Sequence, residues 1–309
     1  MNFCTLSDRN YLYKGLALYH SLKSIAGGIN FTLYYLAMDA ETYNILHRLQ
    51  EKGFSIVPIH INHLIENDSQ LANAQDNPPR NYGTTHGQFC WTCTPYFIWW
   101  LLKNKIKVND SLLYMDADLY FYHNPAMIID ECAGKVVGVH QHRNLLVGEP
   151  YDINNPTGEF NVGCVYFANT QKGVEIAEWW KNCLISTDHE WYEKYGTCGD
   201  QKYLDLFIPM FGNDAVHIFD KSFIGHGAPW NFNHYKYFSN NNMIEYRGVR
   251  QHLLFNHFSH FTSDFEHGKY SSSTKGEWNP EEVNPMVRHW YEKYWEEIKA
   301  AKQLVENAF

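Results

Sequence analysis

Residues 1–59, MNFCTLSDRNYLYKGLALYHSLKSIAGGINFTLYYLAMDAETYNILHRLQEKGFSIVPI, decide the fold. Residues 1–6 form a short apolar run that predicts a buried strand, and it ends in the polar turn Ser7-Asp8-Arg9-Asn10. Over 11–25, Leu12, Leu16, Leu18, Leu22 and Ile25 recur at helical spacing, and Gly27-Gly28 supplies a stop. Residues 31–38 read as a second strand, 40–52 as a second helix and 54–59 as a third strand. Strand and helix alternate throughout, the pattern of a parallel doubly wound α/β sheet. Such sheets bind ligands beyond the carboxyl ends of their strands, which puts the Ser7–Asn10 turn where a ligand would sit.

Further on, residues 62–90 are polar and carry Pro78-Pro79, predicting a long loop or irregular helices. Helices are expected over 96–104, 173–184, 199–207 and 285–309, and strands over 111–115, 136–139, 162–167, 216–219 and 253–258. Residues 226–250 and 262–281 read as loops. With no repeat and no linker, the chain reads as one domain over 1–309, with a first half (1–120), a second half (121–284) and a C-terminal amphipathic helix (285–309).

Composition narrows the function. With 34 acids against 25 bases, the net charge of −9 disfavours nucleic acid, whose phosphates call for clustered Lys and Arg. Aromatic residues reach 17%, enough to serve sugar-like ligands after filling a core. No run is long and apolar enough to span a membrane. The seven cysteines cannot all pair within one chain, and without an apolar leader at the start the thiols are expected to stay reduced. The C-x-x-C pair Cys90/Cys93 lacks a second pair or the histidines of a zinc site.

The chemistry concentrates in LLYMDADLY, residues 112–120. Two carboxylates, Asp116 and Asp118, stand where an apolar strand leaves the sheet, and a turn there would let them converge on one cation. Hard oxygen ligands suit Mg²⁺ or Mn²⁺ held with a substrate's phosphates. The bland alternative is a strand ending in solvated acids, but apolar segments on both sides make unpartnered acids costly. In LLFNHFSHF, residues 253–261, His257 and His260 interrupt an apolar strand, and a neutral imidazole suits Mn²⁺ as third ligand.

These and other segments carry a resemblance. In order along the chain they are FCTLSDRNY (3–11), TCTP (92–95), YMDADLY (114–120), FNVG (160–163), GDQKYLD (199–205), APWN (228–231) and FNHF (255–258). The chain resembles bacterial nucleotide-sugar-dependent glycosyltransferases of the GT-A fold, those that assemble lipopolysaccharide and other glycans. It is more distantly similar to the retaining galactosyltransferase family of that fold. The resemblance implies a Rossmann-like mixed sheet flanked by helices, with 1–120 as the nucleotide-binding half and 121–284 as the donor-sugar and acceptor half. It also implies a metal, Mn²⁺ or Mg²⁺, held by Asp116, Asp118 and His257 on the donor diphosphate. It implies that Thr5, Asp8, Asn10, Tyr11, Asp116, Ala117, Asp118, Asn161 and Trp230 receive the nucleotide and donor, a UDP-sugar. Asp8 and Tyr11 would read the base, while an Asp there also serves to cap a helix. Asp200 and Gln201 would be catalytic. Asp200 would be the base for an inverting reaction and would position the sugar with Gln201 in a retaining one, its plainer role being a helix cap.

The expected reaction is metal-dependent sugar transfer to a hydroxyl of a glycan, glycolipid or protein. The alternative is a non-catalytic carbohydrate-binding protein on the same fold. An aspartyl phosphatase is disfavoured because Leu119-Tyr120 follow the second Asp, and a pyrophosphorylase because Ser7–Asn10 is no basic Gly-rich loop. In GHGAPWN, residues 225–231, a flexible glycine pair suggests a loop closing over the diphosphate or a plain turn. The distant family's basic phosphate contact has only Lys221 and His226 as counterparts nearby. A cytoplasmic location follows from the expected lack of a leader, with peripheral membrane contact and a homodimer as further expectations. The aromatic stripe of 285–309 is expected chiefly to pack on the sheet, since its bases and acids balance.

Overall fold

The structure, a computed structural model, describes residues 1–25, 30–76, 84–144, 155, 157–185, 199–221, 223–238, 242–272 and 285–308. Its strands are β1 (Asn2–Ser7), β2 (Thr32–Ala37), β3 (Ile56–His60), β4 (Ser111–Met115), β5 (Leu119–Phe121), β6 (Val137–Gln141) and β7 (Phe160–Ala168). After them come β8 (Val216–Ile218), β9 (Ile224–Gly227), β10 (Lys236–Phe238), β11 (Met243–Tyr246), β12 (Val249–His257), β13 (Thr262–Asp264) and β14 (Lys269–Ser271). The helices are α1 (Leu12–Ile25), α2 (Ala40–Glu51), α3 (Ile61–Ile65), α4 (Ser69–Asp76) and α5 (Thr85–Asn104). They continue with α6 (Ala126–Glu131), α7 (Gln171–Ile185), α8 (Phe207–Phe211) and α9 (Pro285–Glu306).

The main sheet has seven strands in the order β3-β2-β1-β4-β7-β6-β8. The opening alternation forms as read: β1, β2, β3 and β4 are parallel, and α1 lies against β2 so closely that a Cβ at Gly15 would sit 1.9 Å from the Tyr35 hydroxyl. Beyond β4 the purely parallel expectation fails. β7 runs antiparallel to both β4 and β6, so the sheet is mixed, as the resemblance implied. The chain grows from β1 towards β3 and then returns to add β4 on the other side of β1. That reversal leaves a crevice at the carboxyl ends of β1 and β4, where a doubly wound sheet takes its ligand.

A second sheet, β10-β11-β12-β5 with β9 alongside β12, occupies much of the span read as loop at 226–250. Gly225 and Gly227 belong to buried β9, not to a mobile turn. A Cβ there would meet Ile244 at 2.6 Å and Asn256 at 2.1 Å, so the glycines serve close packing. Within 62–90, α4 and the start of α5 are helical. α5 begins at Thr85, where the Thr84 side chain accepts from Gly87 N, and continues through Pro95. Residues 199–207 form a 3-10 turn, Gln201–Leu206, leading into α8. Residues 262–271 hold the β13–β14 hairpin. Gly27-Gly28, Pro78-Pro79 and Cys198 lie outside the described residues.

The aromatic stripe of α9 is covered by the chain itself. Val287, Trp290, Tyr291, Tyr294, Trp295 and Ile298 are buried with Phe232, Phe258 and Phe261, and the helix also packs along α1. Among the described residues, no helix is long and apolar enough to cross a membrane.

Candidate functional site

A cleft of about 930 Å³ opens at the crevice between β1 and β4. One wall comes from the turn after β1, with Asp8 and Tyr11, and another from the turn after β4, with Asp116, Ala117 and Asp118. Asn161, Asp200, Gln201, Trp230 and His257 line it as well. Two residues expected there are placed otherwise. Thr5 is fully buried within β1, and Asn10 is exposed, donating from Nδ2 to Asp8 Oδ2 at 3.1 Å; neither is on the lining.

The backbone leaves β4 at Met115, turns through Asp116–Asp118 and re-enters as β5. β5 pairs with β12, setting His257 opposite Leu119, and Phe258 N donates to Asp118 O at 2.9 Å. This pairing carries the imidazole to the carboxylates: His257 Nε2 is 3.1 Å from Asp118 Oδ1 and 3.7 Å from Asp116 Oδ2. His260 lies past the strand end with a positive φ, so it is not part of the strand, although it lines the cleft.

Three packed groups aim the triad. Tyr114 Oη donates to Asp116 Oδ1 at 2.8 Å. Gly163 lets β7 approach His257, because a Cβ there would lie 2.8 Å from its Nδ1. Trp230 meets the His257 ring edge-on at 5.3 Å and is itself held by donating to His142 O at 3.0 Å. One atom each from Asp116, Asp118 and His257 can be chosen with all three within 4.8 Å of one another. Two carboxylates and an imidazole suit Mn²⁺ or Mg²⁺, and His257 Nε2 already faces both acids. The residues therefore fit a divalent ion.

The electrostatics agree. Burial raises the Asp116 carboxyl, with Asp118 adding to the rise and His257 opposing it. Burial would also raise Asp118, but His257 and the ammonium of Lys14 outweigh it and bring the carboxyl down. Burial works against a charge on His257, yet Asp118 and Asp116 hold its proton more tightly than usual. Both carboxylates thus favour positive charge at the point they share with His257.

Asp8 acts as a cap: Oδ1 accepts from Asn10 N at 3.0 Å and Tyr11 N at 3.2 Å, while Oδ2 is 3.2 Å from His86 Nε2. Asp200, by contrast, makes no side-chain capping hydrogen bond at the 3-10 turn that it precedes. Gln201 is tied down, accepting from Asn161 Nδ2 at 2.8 Å and donating to Thr157 O at 2.8 Å. Cys90 also reaches the cleft, with its thiol pushed up to about 12, mainly by burial, which removes the thiolate that redox chemistry needs.

Lys14 was missed in the sequence. It is buried on α1, with Nζ 3.9 Å from Asp118 Oδ2 and 3.8 Å from the Tyr11 ring centroid. Burial lowers its pKa, with Asp118 opposing the fall. The two basic residues expected near the diphosphate are elsewhere: Lys221 is exposed and His226 is buried on β9, outside the lining. His226 belongs to a second group with metal-ligand spacing, His140, Asp220 and His226. There Arg143 Nε stands 2.9 Å from Asp220 Oδ2, already balancing the charge, and burial keeps both imidazoles neutral.

The architecture matches solved structures over nearly the whole chain. The galactosyltransferase LgtC, solved with donor and acceptor sugar analogues, superposes with a TM-score of 0.58 over 97% of this chain and 96% of LgtC, at 13% identity. The fold is GT-A. Mouse xyloside xylosyltransferase 1 shares it, with a TM-score of 0.55 over 84% of this chain and 98% of that enzyme, at 14% identity. In sequence, two uncharacterized proteins of Bacillus subtilis strain 168 are similar. YfnD is 28% identical over 262 residues, covering 84% of this chain and 78% of YfnD, and YfnF is 27% identical over 267 residues, covering 83% and 80%. No protein-family profile matches. On the GT-A scaffold, the triad and the Asp8–Tyr11 wall occupy the end of the sheet where the topology reverses.

Proposed function

We propose that the protein is a metal-dependent glycosyltransferase that moves a sugar from a nucleoside-diphosphate donor, a UDP-sugar, to a hydroxyl of a glycan, glycolipid or protein. One observation carries the reading: Asp116 and Asp118 converge with His257, from a distant segment, in the cleft that Asp8 and Tyr11 also line. Bound there, a divalent cation would neutralise the leaving diphosphate.

The chain's own residues have distinct tasks. Tyr11 offers a ring for the base to stack on, and Asp8 Oδ2 an acceptor for an imide N–H. Asn161 and Gln201, locked to each other, present a fixed polar edge to the sugar. Asp200, buried and on the lining, takes the acceptor's proton if configuration inverts, and steadies the sugar with Gln201 if it is retained. The reading carries with it a cytoplasmic enzyme of glycan or lipopolysaccharide assembly.

The test is a donor screen that reads released nucleoside diphosphate, with and without Mn²⁺, followed by the anomeric configuration of the product. Release from a UDP-sugar that is stopped by EDTA, restored by Mn²⁺ and abolished in Asp116→Ala and Asp118→Ala supports it. Unchanged release in EDTA would overturn the metal dependence, and binding of sugars with indifference to UDP would favour a lectin.

A further inference from the structure

Lys14 stands one helical turn beyond Tyr11, and its ammonium lies between that ring and Asp118. Asp118 is thereby held from both sides, Oδ1 by His257 Nε2 at 3.1 Å and Oδ2 by Lys14 Nζ at 3.9 Å. The ammonium is 7% exposed as a residue, and among the described residues it makes no hydrogen bond; its partners are the carboxylate and the ring face. A buried ammonium with three donors and so little to bind is an electrostatic device more than a brace.

The charge count shows what it does. Asp116 and Asp118 carry two negative charges, and Lys14, 3.9 Å from Asp118, cancels one. A divalent ion binding alone would therefore leave these three groups and the ion with net positive charge, while Asp8 and Asp200 stand further along the lining. Affinity for hard cations follows the ligand charge. A nucleoside diphosphate reverses the balance: its negative charges satisfy the ion, and Lys14 then attracts where it had repelled. We propose that Lys14 is a positioning residue that makes cation binding at Asp116, Asp118 and His257 conditional on the diphosphate, so that ion and nucleotide bind as a coupled unit. This rests on reading the triad as a metal site, and the coupling must act equally in both directions.

The test is a Mn²⁺ titration of the full chain, stripped with EDTA and dialysed, following the electron paramagnetic resonance signal of free Mn²⁺ with and without UDP. In the wild type, Mn²⁺ alone should bind weakly and UDP should tighten it by about tenfold or more, within the usual range of coupling between sites. Lys14→Met should bind Mn²⁺ alone about tenfold more tightly, in line with the added net ligand charge, and gain less from UDP. Lys14→Arg should behave as wild type, and Lys14→Gln serves where the Met variant does not fold. If Lys14→Met or Lys14→Gln binds Mn²⁺ no more tightly than wild type, or keeps the full gain from UDP, the proposal is overturned while the metal site stands. If the folded wild type binds no Mn²⁺ with or without UDP, the metal reading falls and this proposal with it.

Discussion

Tyr114 Oη donates to Asp116 Oδ1 at 2.8 Å, from two positions earlier in the chain, and Thr94 Oγ1 lies 3.4 Å from the same hydroxyl. The bond occupies one carboxylate oxygen and leaves Oδ2 turned to His257. Groups that orient metal ligands typically hold 10- to 100-fold in affinity. Tyr114→Phe keeps the buried ring and removes only the hydroxyl. The expected result is a loss of about tenfold or more in Mn²⁺ affinity measured with UDP present, with about 1 kcal/mol or less off the unfolding free energy. An unchanged affinity would mean that Asp116 is aimed by the backbone alone.

Much of this site was legible in the sequence, for local reasons. The acids follow an apolar strand directly, whereas the Tyr114 hydroxyl that aims Asp116 was not singled out. His257 stood out as a polar residue in an apolar run, although its meeting with Asp118 depends on β5–β12 pairing, which no local pattern encodes. Lys14 was hidden because a lysine on a helix is normally solvated. Here Tyr11 and Asp118 enclose it, and Asp118 lies a hundred residues away in the chain. The glycines at 225 and 227 misled for the opposite reason: missing side chains signal either freedom or tight packing, and only Ile244 and Asn256 against them decide. The start of α5 was obscured by polar His86, Gly87 and Gln88, of which the first two line the cleft on a helix fixed by its Thr84 cap and Gln88 is buried.

Asp8 holds two roles that one substitution can separate. Its Oδ1 caps the turn into α1, which an Asn side chain can also do, whereas acceptance from an imide N–H draws on the carboxylate. Asp8→Asn should therefore leave the melting temperature near wild type and weaken UDP binding by about tenfold, the worth of one charge-assisted hydrogen bond. Calorimetry with UDP and GDP checks it. Equal losses for both nucleotides would leave Asp8 with capping alone.

The raised pKa of His257 gives the site a pH dependence of definite sign. Burial opposes the charge, but Asp118 and Asp116 stabilise the protonated ring, so the folded pKa exceeds the unfolded one. In EDTA this stability is fully present below the ordinary histidine pKa and is lost as pH rises through the raised value. A metal needs the neutral Nε2 and must displace that proton, so Mn²⁺ affinity should fall by up to about tenfold for each unit that pH drops below the raised pKa. Titrations between about pH 6 and pH 8 should show affinity rising while metal-free stability from this residue declines. A flat Mn²⁺ profile would remove His257 from the ligand set.

The C-terminal helix offers a test on stability and on membranes together. Trp290 on α9 is buried against Tyr122, Phe232 and Tyr237, with ring centroids at 5.9, 6.0 and 5.4 Å. One turn on, Tyr294 stacks at 3.9 Å on Phe258, the neighbour of His257, so the helix backs the strand that carries His257. Removing a buried indole costs about 3–5 kcal/mol through lost contacts and the cavity left behind. Trp290→Ala should lower the denaturant midpoint accordingly. The outer face cannot replace that contact with a membrane, because Arg288, Lys293, Lys299 and Lys302 are matched by Glu292, Glu296, Glu297 and Glu306. Wild-type protein should accordingly stay in the supernatant when anionic vesicles are sedimented. A near-neutral Trp290→Ala together with salt-sensitive vesicle binding would show that the stripe serves a lipid surface instead of the core.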